Sequence, residues 1–271
     1  MVTLKTAEQI AKMREAGAIV AAMLAATREA VRPGVTTLEL DRIAAEVLAR
    51  AGATSSFLGY FGYPATICTS VNEQIVHGIP SKRKLKEGDL VGIDAGAIVD
   101  GWHADAAITV PVGRISAEAR RLIDVTHDAL VRGIAAATVG NRLGDIGAAV
   151  QSYAESQGFS VVRNYVGHGI GRAMHEEPQV PNYGTADLGR VIKDGLCIAI
   201  EPMVNVGGIA TRVLDDNWTV VTEDGSLSAH FEHTLACLAD GPVILTLERG
   251  SAGAGTARAG RRKDAASVGS A

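Results

Sequence analysis

Two histidines seven residues apart, His168 and His175, lie in the run 166–182, which reads VGHGIGRAMHEEPQVPN. Gly167, Gly169 and Gly171 surround the first, and Pro178 and Pro181 follow the second. Glycine lets a backbone turn tightly and approach a ligand, and proline discourages helix and stiffens a loop. A histidine held in such a segment can ligate a metal or act as a general acid. For a single histidine, a water-facing loop is the plainer alternative, so the other acids and histidines of the chain must decide.

Four carboxylates occupy positions where a charge is costly. Asp94 ends Leu-Val-Gly-Ile, Asp105 precedes Ala-Ala-Ile-Thr-Val, Glu201 ends Leu-Cys-Ile-Ala-Ile, and Glu232 sits in His-Phe-Glu-His-Thr-Leu. An unpaired buried carboxylate costs several kcal/mol or is forced to protonate. Strand alternation puts Gly92 and Gly96 beside Asp94, His103 and Ala107 beside Asp105, Ala199 and Met203 beside Glu201, and His230 and Thr234 beside Glu232. Small neighbours beside three of the four leave room for something other than side chains. Each acid alone reads equally as a strand-end residue or one half of an ion pair, but no matching set of apolar-flanked lysines or arginines exists. Together with His168 the four negative charges would balance two divalent cations. Such a pair activates a bridging water and clamps both sides of a displacement. Oxygen-rich ligation with one imidazole suits manganese, iron or cobalt better than a structural zinc.

The elements that must position these groups follow from periodicity. Thr6-Ala-Glu-Gln9 and Thr36-Thr-Leu-Glu39 are capping-box patterns that open helices running to about Val31 and to Gly52. A loop with Phe57, Tyr60, Phe61 and Tyr63 holds four of the nine Phe and Tyr residues, an enrichment that suits a pocket wall or plain core packing. Strand signals lie at 66–70, 90–99, 105–112, 196–206, 218–222, 230–238 and 242–247, with helices at about 117–137 and 145–157. The basic run 81–86 reads as a solvated turn. Two segments echo two others at near-constant shifts: 39–52 matches 145–158, and 86–94 matches 193–201, which sets Asp94 on Glu201. A duplicated α+β unit follows, with a site at the interface of its halves.

Composition excludes several classes. The chain has 271 residues, 47% hydrophobic, enough for a large core. A net charge of −4 gives no electrostatic case for nucleic acid as the main ligand. Cys68, Cys197 and Cys237 lie far apart, which suits a reducing cytoplasm rather than a disulfide framework. The apolar run 16–26 is too short to span a bilayer, and Glu8 and Glu15 spoil a signal peptide. Residues 1–250 form the expected folded domain. Residues 251–271, rich in Ala, Gly, Ser and Arg, have too little to bury and are expected to be a disordered tail.

Seven ordered motifs carry a resemblance. They are Asn72-Glu-Gln-Ile-Val-His-Gly-Ile-Pro80, Ile93-Asp-Ala-Gly96, His103-Ala-Asp-Ala106, Gly167-His-Gly-Ile-Gly171, His175-Glu-Glu-Pro178, Ile200-Glu-Pro-Met203 and Phe231-Glu-His-Thr234. From the first helix to about Leu247 the chain resembles the type I methionine aminopeptidases in their short bacterial form. The resemblance implies the "pita-bread" fold, a pseudo-twofold α/β (α+β) domain whose curved antiparallel sheet is covered by helices. It implies two divalent ions held by Asp94, Asp105, His168, Glu201 and Glu232, with Asp105 and Glu232 bridging. His77 would contact the scissile amide, His175 would polarise the scissile carbonyl and stabilise the oxyanion, and Glu201 would shuttle the proton from water to the leaving amine. Phe57, Tyr60, Tyr63, Cys68, Met174 and Trp218 would line the methionine pocket, and a monovalent cation would sit near Asn72 and Ser228. The implied reaction is removal of an N-terminal methionine that precedes a small residue, on nascent chains emerging from ribosomes. The implied setting is a cytoplasmic monomer with transient ribosome contact and no membrane.

Phe57, Met174 and Phe231 stand where the resembled family often has cysteine, phenylalanine and tyrosine, which bears on pocket shape. Two other readings share the ligand pattern. Xaa-Pro peptidases have the five ligands but usually carry a substantial additional N-terminal domain. A binding protein of the same fold that has lost its metals would not need the intact ligand set.

Overall fold

The computed structural model describes residues 2–247, and the expectation for the tail 251–271 lies outside them. Four α-helices are present among these residues: α1 (Ala7–Ala30), α2 (Thr37–Ala51), α3 (Ala117–Ala136) and α4 (Leu143–Ser156). The first strands are β1 (Thr54–Ser55), β2 (Ile67–Val71), β3 (Gln74–Val76), β4 (Leu90–Val99) and β5 (Trp102–Pro111). After α4 come β6 (Ser160–Val161), β7 (Gly167–Gly169), β8 (Glu176–Val180), β9 (Leu196–Ile200) and β10 (Met203–Asn205). The last are β11 (Thr211–Val213), β12 (Val220–Thr222), β13 (Ser228–His230), β14 (Glu232–Leu238) and β15 (Gly241–Ile244).

Both expected capping boxes form. Thr6 and Gln9 satisfy each other's backbone at the start of α1, as do Thr36 and Glu39 at α2. Gly52 closes α2 in the left-handed region at φ 65°. The basic run is exposed as expected, but it also has a packing role: the carbonyls of Ser81 and Arg83 accept from Leu38 N and Thr37 N, donors that a helix start leaves free.

The main sheet runs β1-β4-β5-β14-β9-β7-β8, with β2 beside β4 and β15 beside β14, and every pairing in it is antiparallel. Its centre is the row β4-β5-β14-β9, in which the hairpin β4–β5 meets β14 and β9 across a pseudo-twofold between β5 and β14. This is the duplication read from 86–94 and 193–201, because those segments carry β4 and β9. Helices obey the same symmetry. Val91, Ile93, Ala95 and Ala97 of β4 pack in one core with Val20, Leu24, Leu40 and Leu48 of α1 and α2. Leu196, Ile198 and Ile200 of β9 pack in another with Leu122, Leu130 and Ile146 of α3 and α4. Since a strand alternates its faces, the opposite row, Gly92, Asp94 and Gly96, turns away from the helices.

Several boundaries differ from expectation. The segment 166–182, expected as a stiff loop, contributes β7 and β8 to the main sheet, because Gly167 and Gly169 pass between neighbouring backbones where a side chain would collide. Strand β5 begins at Trp102 rather than 105, so Asp105 lies inside the strand. The expected strands 196–206 and 230–238 are each broken, at Glu201-Pro202 and at Phe231, and the chain switches sheets there.

Helix α1 lies close to the end of the chain's last described strand region, with Gly17 against the Leu245 carbonyl. Gly17→Ala would ordinarily stabilise a helix interior by roughly 0.8–1 kcal/mol. Here its Cβ would be driven into the Leu245 oxygen, so urea denaturation should show a net loss of about 1–3 kcal/mol.

Candidate metal centre

Register sets the acids together. Asp94 pairs with Ala107, and Ala107 pairs in turn with Glu232, so Asp94 and Glu232 flank one small residue across β4-β5-β14. Asp105, two residues from Ala107, shares that face, and its Cα partner is Gly96. Pairs His233–Ile200 and Thr234–Ala199 bring Glu201, just beyond β9, opposite Glu232. His168 enters from β7, whose Gly169 pairs with Ile198. Ligand atoms of Asp105, His168 and Glu232 all lie within 4.8 Å of one another. His168 Nε2 is 3.4 Å from Asp105 Oδ2 and 3.7 Å from Glu201 Oε1.

Each group is oriented from behind. His168 Nδ1 is 2.9 Å from the Gly169 carbonyl, which makes it the donor and leaves Nε2 to face the acids. The Thr234 hydroxyl lies 2.8 Å from Asp105 Oδ1, and Asn182 Nδ2 donates to the Glu201 carbonyl at 3.0 Å. The turn that carries Met174 and His175 is tied by Glu176, which accepts from Arg172 N at 2.8 Å and Ala173 N at 3.2 Å. The other oxygen of Glu176 meets Lys5 Nζ at 2.6 Å and Thr3 Oγ1 at 2.9 Å.

The electrostatics of this cluster call for cations. Burial, then the neighbouring Asp105 and Glu201 charges, pushes Asp94 far above the ordinary carboxylate range. Burial likewise raises Glu201 to about 8 and Glu232 well above its usual value. Asp105 goes the other way: burial opposes its charge, but His168 and Thr234 hold it low. His168 is pushed down by burial yet ends near 9 because Asp105 and Glu201 favour its charged form. Without dications the centre is one ion pair among protonated acids. Asp94 Oδ1 and Asp105 Oδ2 are buried with no hydrogen-bond partner. Unpartnered carboxylate oxygens beside an imidazole nitrogen that can give up its proton are what hard-to-borderline divalent ions require, so the residues present fit such a group.

Every metal, catalytic and pocket residue named from the sequence lines one cavity of about 480 Å³: the five candidate ligands, His77, His175, Phe57, Tyr60, Tyr63, Cys68, Met174 and Trp218, while Asn72 and Ser228 lie outside its lining. Phe57, Tyr63, Cys68 and Met174 are buried together with Ala65. Gly96, expected to leave space beside Asp94, instead admits Phe57 and Ser56. Tyr63 meets Trp218 edge-on at 5.0 Å, and its hydroxyl sits 3.0 Å from the Gly78 carbonyl. Burial pushes the Cys68 thiol up, so it is a wall rather than a nucleophile. His77 takes a left-handed φ of 61°, and burial lowers its pKa. His175 is lowered to about 4 by burial and by His168, and its ring lies 4.2 Å from that of His168.

Two neighbours of the site were not among the expected residues. Phe61 lines the cavity, and its aromatic loop was the available signal. The buried His230 has Nε2 3.9 Å from Glu201 Oε2, foreshadowed only by its i−2 spacing from Glu232. Asn72 and Ser228 do meet: Ser228 N donates to the Asn72 carbonyl at 2.9 Å. The Asn72 side chain is itself engaged by Asp89 and Leu90 N.

An open, apolar-walled cavity floored by one imidazole and four carboxylates has the make-up of a hydrolytic metal centre rather than a closed structural one. Residues 11–238 match the model of metallopeptidase family M24, and the chain belongs to that family. A Clostridium perfringens protein called methionine aminopeptidase is 53% identical over 247 residues, covering 91% of this chain and 99% of that one. The crystal structure of methionine aminopeptidase from Rickettsia prowazekii superposes with a TM-score of 0.90 at 44% identity, covering 91% of this chain and all of that one. A Xaa-Pro dipeptidase from Bacillus anthracis shares the fold at 24% identity and a TM-score of 0.71, and 61% of its length is covered.

Raised pKa values make the metal-free protein sensitive to alkali. The folded chain holds extra protons on Glu201 between about 4.3 and about 8, and on His168 between about 6.5 and about 9. Where the folded state binds more protons than the unfolded, stability falls as pH rises. Buried His175, His230 and His233, all held low, act in the opposite sense only below about 6.5. Chelated protein should therefore lose melting temperature steadily from pH 7 to pH 9. Added Mn²⁺ or Co²⁺ should remove that slope and release protons on binding, read as a buffer-dependent heat in calorimetry.

Proposed function

We propose that the protein removes the N-terminal methionine from nascent chains and peptides whose second residue is small. The observation that carries this reading is the shared cavity, in which the candidate ligands, two further histidines and an apolar, largely aromatic wall face one another. Asp94, Asp105, His168, Glu201 and Glu232 would hold two divalent ions. When bound, such ions supply Lewis acidity and a water that ionises near neutral pH. Cobalt, manganese or iron suits these donors.

The chain's own residues supply the rest. Tyr60, Tyr63, Phe57 and Trp218 offer flat faces, and Met174 an adaptable one, to a long unbranched thioether. Sulfur–aromatic contacts of this kind are worth about 0.3–1.5 kcal/mol each. His77, neutral in its buried position, hydrogen-bonds the amide side of the scissile bond. His175, neutral down to about pH 4, donates to the carbonyl oxygen as it gains charge. Glu201, beside the bound ions, would take a proton from water and return it to the leaving amine. Bulk at the second residue would collide beside His77 and His175, where a displacement near 1 Å costs about 10²-fold.

Asn72 and Ser228 are the proposed seat of a monovalent cation. The enzyme would work as a cytoplasmic monomer in transient contact with ribosomes, where its substrates emerge. No described helix is long and apolar enough to cross a membrane.

Release of methionine should be measured on chelated and metal-restored enzyme. Met-Gly and Met-Ala peptides should be cut, Met-Lys about 10²-fold more slowly, and acetylated peptides not at all. Cleavage of Ala-Pro peptides as fast as Met-Ala would move the protein to the Xaa-Pro class. Glu232→Ala should lose metal and activity together. His175→Ala should keep its metal and lose about 10²–10³ in turnover, as for one oxyanion donor.

A further inference from the structure

We propose that Tyr60 is a positioning residue for the reaction: its hydroxyl donates to His175 Nδ1, 2.8 Å away, and keeps the single imidazole proton on Nε2, the atom left to reach the scissile carbonyl. The inference rests on the role of His175 given above. A neutral imidazole carries one donor and one acceptor nitrogen. Were the proton on Nδ1, Nε2 would present a lone pair to an oxygen that is becoming negative. A phenol hydroxyl donates more readily than it accepts, and an imidazole lone pair is the better acceptor of the two, so a hydrogen bond between Tyr60 and Nδ1 favours the tautomer with its proton on Nε2. Tyr60 is the hydrogen-bond partner of the His175 ring among the described residues. Burial raises the pKa of its phenol, so the hydroxyl keeps its proton.

The loop holds Tyr60 to this task. Ser55 Oγ accepts from Phe57 N at 3.0 Å and Leu58 N at 3.1 Å, Gly59 N donates to the Tyr63 carbonyl at 2.8 Å, and Tyr60 N donates to the Phe57 carbonyl at 2.9 Å. Phe61 adopts a left-handed φ of 46°, a conformation that costs a non-glycine residue energy and that clusters at functional sites. Its ring, 84% exposed, stands edge-on to Tyr60 at 4.6 Å and 73°. On the other side the Tyr60 and His175 rings lie 5.4 Å apart and tilted by 30°. Tyr60 is thus braced from the solvent side and aimed at one nitrogen, which exceeds what a pocket wall needs.

Tyr60→Phe removes the hydroxyl and keeps the wall. In the full-length metal-loaded enzyme, kcat on Met-Ala peptides should fall about 10-fold or more while KM stays within about twofold. In zinc-loaded protein at pH 8, ¹⁵N NMR should show His175 as the Nε2–H tautomer, its signals assigned by their loss in His175→Ala. Tyr60→Phe should show a mixture of tautomers. An unchanged kcat, an unchanged tautomer, or a rise in KM alone would overturn the role of Tyr60 and leave it a wall. Slow His175→Ala beside full-speed Tyr60→Phe would sink the Tyr60 inference alone. A His175→Ala enzyme as fast as the parent would sink the assignment of His175 beneath it.

Discussion

Everything in this molecule answers to the cost of holding four carboxylates within one buried cluster. A lone carboxylate in an apolar interior protonates rather than remain charged, and Asp94, Glu201 and Glu232 are driven that way. Only Asp105, beside His168 and Thr234, keeps its charge through protein contacts. Among the described residues no lysine or arginine lines the cluster, so neutrality must come from protons or from bound cations. That choice makes the site both a stability term and a chemical one. The same groups that destabilise one another when ionised are the groups proposed to hold divalent ions.

The sheet solves the geometric half of the problem through pleat and symmetry. Hydrophobic residues at alternate positions of β4 and β9 anchor each half of the sheet to its own helix pair. The intervening positions are then free to be acidic without exposing the acids to water. Because the two halves meet between β5 and β14, acids from equivalent strands converge on one face. Small residues at Ala107 and Ala199 leave that face to the acids, while Gly96 lets Phe57 and Ser56 pack beside Asp94. Helices need do no chemistry at all; they fix the curvature and register on which the acids depend.

Much of this was legible in the sequence, for identifiable reasons. Capping boxes at Thr6 and Thr36 work through local hydrogen bonds, so α1 and α2 could be read residue by residue. The 107-residue echo and the acid at the end of each apolar run survive as periodicity, so Asp94 and Glu201 stood out. Strands β7 and β8 were not legible, because two glycines and a proline argue for a loop until neighbouring backbones demand their absence of side chains. Pro202 was a local signal for the first break, but nothing local says that the chain changes sheets there or at Phe231. The contact of Tyr60 with His175 spans 115 residues, and the Lys5–Glu176 pair spans 171. No local rule reaches that far.

The register that places Asp94, Ala107 and Glu232 side by side has a consequence for how the molecule comes into being. A chain made from its N-terminus presents Asp94 and Asp105 long before β14 exists. Until Glu232 is synthesised, β5 has an open edge and the acid cluster lacks its second half. Helix pairing can begin early, but the catalytic floor is completed late, by closure of non-local strands that fold more slowly than local contacts. A truncated or arrested product would therefore be inert toward peptides, and competence would arrive in one step as the last ligand-bearing strand docks.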